Sequence, residues 1–597
     1  MKKIYIKAIG KYILLCLLLV SFAKVYSQTD LPIYLTPQEK LMMKEYYSQT
    51  GDRSGVMTPP VSKVRNAAEW EEIDALIVTW TTYTSILTEI VRNAVNECKV
   101  YVVCTDSNSV KAALTGSGVA LANVRYVVAP YNSVWVRDYG ANNVYTNVVD
   151  SLLLVDWTYN RPRPKDDTLA RTMTKVSGVP LYELTATPNK LVATGGNWMT
   201  DGMGTAFSSH LITDENSPSS TYGQNLTEAD IDSLTKHYLG INKYIMFPTL
   251  PYDGIHHIDM HVKLLDEETL LWGQYPTGTA DGPQIEANIA YVQSNFSSIF
   301  GTPYRIKRIP MPPDSSYSYA YPDNSGYYLT YTNGVFVNKT FLYPTYYKQY
   351  DSVAQRIYQE NLPGYNVVPI NCYQSITASG AIHCITHCIA SKDPLLIVHK
   401  PVRDTIITTN SSNQVIIKAY IKHRSGIQSA KVYYKSGIMS SYQALNMQPV
   451  AGEPDYWQTT IPWPILARYT HVPINYYISA TANSGKSQVR PITAPTGYWS
   501  FTADEAGGVN EFNNITLGKI YPNPASAITC IPVEVTNKTN ITLDVYDIVG
   551  KKIKNIFTGS FAGKKNFFIN ASDLAKGVYM VTITSENYSS TQKLIVK

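Results

Sequence analysis

Leu76-Ile77-Val78-Thr79-Trp80, the stretch Ile86–Asn96 and Lys99-Val100-Tyr101-Val102-Val103 decide the fold class. The first and third are short, β-branched apolar runs of the kind that fill a sheet buried on both faces. Between them the apolar residues recur at helical spacing. A second helical stretch at Val110–Leu114 and a strand at Val124–Ala129 complete a β-α-β-α-β rhythm. Helical segments followed by strands return at Glu228–His237, Gln284–Phe300 and Ser352–Asn361. Residues 28–395 are therefore expected to form one mixed α/β unit.

At 597 residues the chain is too long for a single core and calls for several domains. Hydrophobic residues make up 44%, which excludes disorder as the main state. A net charge of +5 without a basic run gives no nucleic-acid groove. Lys2, Lys3 and the apolar run Tyr12–Val20 read as a signal peptide over residues 1–27, too short to span a bilayer. No later stretch is long and apolar enough to span a membrane, so an exported protein, secreted or attached to the outer surface, is expected.

Downstream the helices stop. In 396–503, alternating runs at Gln414–Ile421, Ala430–Tyr434 and Ile474–Ala480 predict an immunoglobulin-like β-sandwich. Residues 504–512, with Gly507-Gly508, read as a linker. In 513–597, Ile541–Tyr546 and Lys551–Ile556 flank the hairpin signal Val549-Gly550, and Val578–Thr584 and Thr591–Val596 continue the alternation into a second small β-sandwich.

The chemistry concentrates at Ile382-His383-Cys384-Ile385-Thr386-His387-Cys388. Two His and two Cys so close together could be zinc ligands, buried structural side chains, or the surroundings of a nucleophilic Cys384. A nucleophile needs a proton-transfer partner, and His257-Ile258-Asp259 offers one; on a strand His257 and Asp259 would share a face. Trp135-Val136-Arg137-Asp138 adds a second carboxylate, expected on a loop. Two carboxylates, a His and a Cys suit a guanidinium, which is planar, permanently charged and carries five donors.

Six blocks in order carry a family resemblance: Trp135–Asp138, Tyr159-Asn160-Arg161-Pro162-Arg163-Pro164 with Asp166-Asp167, Thr194-Gly195-Gly196-Asn197-Trp198, His257-Ile258-Asp259, Tyr331-Thr332-Asn333 and Ile382-His383-Cys384. Over residues 60–395 the chain resembles the Porphyromonas-type peptidylarginine deiminases and the related agmatine deiminases of the guanidino-modifying superfamily. Its last module, opening on Tyr521-Pro522-Asn523-Pro524, resembles the C-terminal sorting domain of type IX secretion substrates.

The first resemblance implies a five-bladed pseudo-symmetric α/β propeller and catalysis without metal or organic cofactor. It implies that Asp138 and Asp259 grip the guanidinium, Cys384 attacks its central carbon, His257 moves protons and Asn333 positions the thiolate. Trp135, Arg161 and Arg163 are implied in substrate binding, the arginines by holding the free carboxylate of a C-terminal arginine. The alternative for that loop pairs both arginines with Asp166 and Asp167. Agmatine deiminases carry Glu where this chain has Thr194, which favours peptidyl-arginine over agmatine or free arginine. Partners are then peptides or proteins ending in arginine, and the type IX secretion machinery. A binding protein that has lost catalysis on the same scaffold is the rival of another class.

Overall fold

In the computed structural model the described residues are 31–48, 55–314, 328–408, 415–436, 439–461, 473–505, 515–585 and 588–597. The expected signal peptide and the Gly507-Gly508 part of the expected linker lie outside them. Strands Ile73–Thr79, Lys99–Cys104 and Val124–Val128 are parallel neighbours, in register Ala75↔Lys99 and Val100↔Val124. Helices Thr84–Ala94 and Ser107–Gly116 make the crossovers. The first buries Ile86, Leu87, Ile90, Val91 and Ala94, one stripe at helical spacing. Asp106 starts the second by accepting from the backbone N–H of Asn108 and Ser109.

This sheet has a fourth strand from far along the chain: His387–Ala390 lies antiparallel to Ile73–Thr79. With it, five sheets share one pattern, in which a central strand pairs antiparallel with one neighbour and parallel with another reached through helix. In the second sheet, Leu152–Tyr159 lies between Asn142–Thr146 and Leu181–Leu184. In the third, Thr205–Ser209 lies between Met199–Thr200 and Lys243–Phe247. In the fourth, Thr269–Gln274 lies between Val262–Leu264 and Arg305–Pro310. In the fifth, Thr340–Thr345 lies between Val335–Val337 and Asn366–Asn371. Helix Glu228–Leu239, one of the crossovers, has a reciprocal Thr227/Asp230 capping box, and Gly240 ends it at φ 73°.

The repeat positions the site. Asp138, Asn197, Asp259, Asn333 and Cys384 each stand two to four residues before the antiparallel strand of a different sheet. Five equivalent turns therefore deliver five polar side chains.

Beyond residue 395 the chain is β-rich. Val415, Ile417, Val432, Ile474 and Ile478 form a core between a four-stranded and a six-stranded sheet. Ion pairs tie this module to the α/β unit: Lys486–Glu72 at 2.7 Å, Arg490–Glu267 at 3.0 Å and Arg403–Asp266 at 3.2 Å. In the last module the two long strands Ile528–Asp547 and Lys552–Asn570 meet at a turn where Gly550 has φ 83°. Its strands form one hydrogen-bonded sheet of five, with register shifts at Val535/Thr539 and Leu543/Asp544, rather than the two separate sheets expected. Those irregularities let one ladder bend around a core of Ile531, Leu543, Val581 and Leu594. Tyr521 touches the α/β unit, giving its hydroxyl to Glu360 at 2.9 Å while Arg356 covers its ring.

Candidate active site

Cys384 lies in the turn before strand His387–Ala390 and is fully buried. Asn333 holds it from two sides: Nδ2 donates to Sγ at 3.2 Å, and Oδ1 accepts from the backbone N–H of His383 at 3.0 Å. Asp259 Oδ2 is 3.6 Å from the thiol. Asp259 belongs to the short turn of 3-10 helix Ile258–Met260, and His257 caps it. These two residues do not lie on the expected strand; the tight turn brings both into the same cluster. Asp138 likewise leaves the expected loop for the four-residue helix Val136–Tyr139. Its Oδ1 lies 3.6 Å from Nδ1 of His257 and accepts from the backbone N–H of Gly196 at 3.2 Å.

The glycine pair answers a packing demand. A Cβ on Gly195 would fall 2.0 Å from the carbonyl oxygen of Arg137, and one on Gly196 would fall 2.4 Å from Nδ1 of His257. No side chain fits at either place.

Burial sets the electrostatics. It pushes Asp138 up to about 7, with Asp259 adding to the shift and Arg161 opposing it. It holds His257 down at about 3, so the ring is a neutral imidazole near pH 7. Burial, then Asp259 and Asp138, push the Cys384 thiol well above its ordinary value. Several polar atoms here have no hydrogen-bond partner among the described residues: both ring nitrogens of His257 and Oδ1 of Asp259. Such orphans are uncommon in a folded interior and carry a cost until something fills them.

The binding residues expected on the Tyr159–Pro164 stretch divide. Arg161 is buried close enough to Asp138 and His257 to lower the pKa of both, and it donates to the Ile33 carbonyl at 2.9 Å. Arg163 feels the charge of Asp166, but its close ion pair is with another residue. It faces Glu39 at 2.7 Å and donates to the Pro32 carbonyl at 2.7 Å. Its cation already has a counter-ion, supplied by helix Pro37–Ser48. Asp166 instead accepts from Ser133 and from the backbone of Asn132. Trp135 is fully buried and gives its indole N–H to the Leu31 carbonyl at 2.7 Å. Residues 31–39 thus lie against Trp135, Arg161 and Arg163.

Among the described residues no group of His, Cys, Asp and Glu is placed to hold a metal ion. All six described cysteines are free. Glu69 and Lys263 join the cluster without having been singled out in the sequence, and His383 and Arg137 join it from within the quoted motifs. Nδ1 of His383 meets Asp259 at 2.7 Å and its Nε2 meets Glu69 at 2.5 Å. Lys263 and Arg137 both pair with Glu69.

Comparison with known proteins agrees with this arrangement. The family described as Porphyromonas-type peptidyl-arginine deiminase matches residues 65–389, more than half the chain. A Vibrio parahaemolyticus protein described as "Putative agmatine deiminase" is 27% identical over 295 residues, covering 44% of this chain and 78% of that protein. A Latilactobacillus sakei protein with the same description is 26% identical over 295 residues, 44% of this chain and 77% of its own. A solved structure so described aligns over 57% of this chain and 100% of its own at 20% identity, with a TM-score of 0.50, which speaks for the fold. Residues 519–597 match the secretion system C-terminal sorting domain, which places the protein outside the cell, secreted or attached to its surface. No helix among the described residues is long and apolar enough to cross a membrane. The chain thus belongs to the Porphyromonas-type peptidyl-arginine deiminase family, whose members hydrolyse C–N bonds of guanidino groups, and it carries a type IX secretion sorting domain.

Proposed function

We propose that the protein is a secreted deiminase that converts peptidyl-arginine, presented at a peptide C-terminus, to peptidyl-citrulline and ammonia. The observation that carries this reading is the set of orphaned polar atoms beside the thiol: the acceptor Asp259 Oδ1 and the two His257 ring nitrogens, in a buried site that also holds Asp138. A guanidinium brings planar N–H donors and one positive charge to them. Burial, together with the charges of Asp259 and Asp138, raises the Cys384 thiol well above its ordinary value. The arriving cation offsets their charge and favours the thiolate.

In the reaction Cys384 Sγ forms a bond to the guanidino carbon as its proton passes to His257. The imidazolium returns that proton to a substrate nitrogen, which leaves as ammonia and so leaves a thiouronium on Cys384. Water, deprotonated by His257, adds to the same carbon. The C–S bond then breaks, releasing the ureido group and regenerating the thiol. Ammonia and the remaining proton depart as ammonium, so charge and atoms balance. Asn333 orients the sulfur, and Asp138 and Asp259 hold the substrate in line. We read the five equivalent sheets as blades of a propeller around this centre, a reading supported by their common strand pattern and by the catalytic side chains standing at matching turns. The β-module of residues 396–503 is read as immunoglobulin-like.

Arg161 supports a substrate with a free carboxylate, because its buried cation beside Asp138 opposes a second positive charge such as the amine of agmatine. The second reading, agmatine hydrolysis, rests on the descriptions of the curated relatives and on Arg163 being occupied by Glu39. A ureido-product assay separates the two, using a peptide ending in Arg, the same peptide amidated, and agmatine, with Cys384→Ala as blank. Turnover of the free-carboxylate peptide alone is expected. Turnover of agmatine alone would replace the reading, and silence of a folded protein on all three would leave a binding scaffold.

A further inference from the structure

Glu69 stands outside the motifs that carry the family match, in the loop between strands Val64–Asn66 and Ile73–Thr79. It reaches His383, the residue before the nucleophile. His383 is fully buried between two carboxylates, with Nδ1 at 2.7 Å from Asp259 Oδ2 and Nε2 at 2.5 Å from Glu69 Oε1. An ionised carboxylate only accepts hydrogen bonds, so each of these contacts needs its own proton. Asp259, His383 and Glu69 therefore share two protons along one line. With Asp259 accepting at Oδ2, the Nδ1–H of His383 carries one of these protons and the Glu69 contact carries the other.

The far end of the line is fixed. Lys263 pairs with Glu69 Oε2, and Arg137 lies 3.4 Å from Oε1. Arg137 also donates from Nε to the His383 carbonyl at 3.3 Å, and its backbone N–H to the Cys384 carbonyl at 3.1 Å. The cluster that holds Glu69 thus holds the main chain of the nucleophile. At the near end, Nδ1–H pins one oxygen of Asp259 and leaves the other, Oδ1, as the unpartnered acceptor.

We infer that Glu69 and His383 are positioning residues: through the Glu69–His383–Asp259 line they fix the rotation of the Asp259 carboxylate, so that Oδ1 is presented to the amidine edge of the substrate. This inference rests on the deiminase reading. Neither residue touches the reacting carbon. Without Glu69 the imidazole has no partner at Nε2 and is free to turn, and Asp259 then rotates towards other donors. An error of this kind in a holding group costs about 10- to 100-fold in rate.

The test uses the full chain and two alkylating probes of the same shape, 2-chloroacetamidine and 2-chloroacetamide. The first is a planar cation and the second is neutral, and both report on the Cys384 thiol, read as the mass of the peptide that bears it. The wild type is expected to react faster with the amidine. In Glu69→Gln, and again in His383→Gln, the amidine rate is expected to fall about 10-fold or more while the amide rate stays within about 2-fold, with kcat for an arginyl peptide falling alongside. The amide rate doubles as the control for a damaged fold. Equal loss of both rates, or loss of neither, in both variants would overturn the inference. Loss of the amidine preference in an enzyme that turns over no guanidino substrate would keep it and reject the deiminase reading. A wild type that turns over arginyl peptide with an amidine-to-amide ratio independent of Glu69 would do the reverse.

Discussion

Gly196 and His257 sit so close that a Cβ on the glycine would lie 2.4 Å from Nδ1, with Asp138 Oδ1 at 3.0 Å. The backbone there is not in the left-handed region, so the constraint is room alone. Gly196→Ala must push His257 and Asp138 apart. A displacement approaching 1 Å in a catalytic pair costs about 100-fold in kcat/KM. The expected result is that loss with a thermal midpoint close to wild type; unchanged kcat/KM would remove His257 from the chemistry.

Asp138 governs the acid limb of the pH profile. Its folded-state value, raised to about 7 by burial and Asp259, lies above the ~3.9 of a free aspartate. The substrate cation needs it ionised, so kcat/KM should rise with pH towards a plateau above about 7. Folding stability runs the other way. The folded form keeps this proton where the unfolded form has released it. The group's contribution is therefore complete below pH ~4 and is lost as pH rises through about 7. Asp138→Asn should abolish turnover and flatten that part of the stability curve, measured by urea unfolding from pH 4 to 8.

Glu39 and Arg163 form a nearly buried pair, with side-chain exposures of 9% and 1%. Removing one partner leaves the other charged and unpaired. Glu39→Ala is expected to cost about 3–5 kcal/mol in denaturant unfolding. Removing both partners, with Arg163→Met added, should restore much of the loss; equal costs for the single and double variants would mean that the pair contributes through packing.

Arg161 is tested by a change of substrate. If it holds a C-terminal carboxylate, Arg161→Met raises KM for a peptide ending in Arg by about 10- to 100-fold, as expected for a charge-assisted hydrogen bond. KM for the amidated peptide should barely move. Equal effects on both would assign Arg161 to electrostatic support of Asp138 alone.

Much of this site was legible because its members are chemically distinctive and sit in short local motifs. Cys384 meets Asn333 and Asp259, and His257 meets Asp138. The strand and helix pattern of residues 73–128 was equally plain, since each element is a long apolar run or an amphipathic stripe. The closure of the first sheet by His387–Ala390 was not legible, because pairing across some 300 residues leaves no periodic trace. The fivefold recurrence of the strand pattern was hidden too, as its repeats share turn geometry rather than residues. Glu69 and Glu39 were missed for a related reason: a lone acidic residue in a loop looks like a solvated one until the fold places a buried cation against it. For the same reason nothing in the sequence pairs Arg163 with Glu39, 124 positions away.

The central claim is that Cys384 attacks the guanidino carbon. Its most direct test is the intact mass of the protein acid-quenched within milliseconds of mixing with excess arginyl peptide. The account predicts a fraction heavier by the substrate less ammonia, located on the peptide containing Cys384 and absent from Cys384→Ser, which also makes no product. Product formation with no adduct on Cys384, and retained by Cys384→Ser, would contradict it.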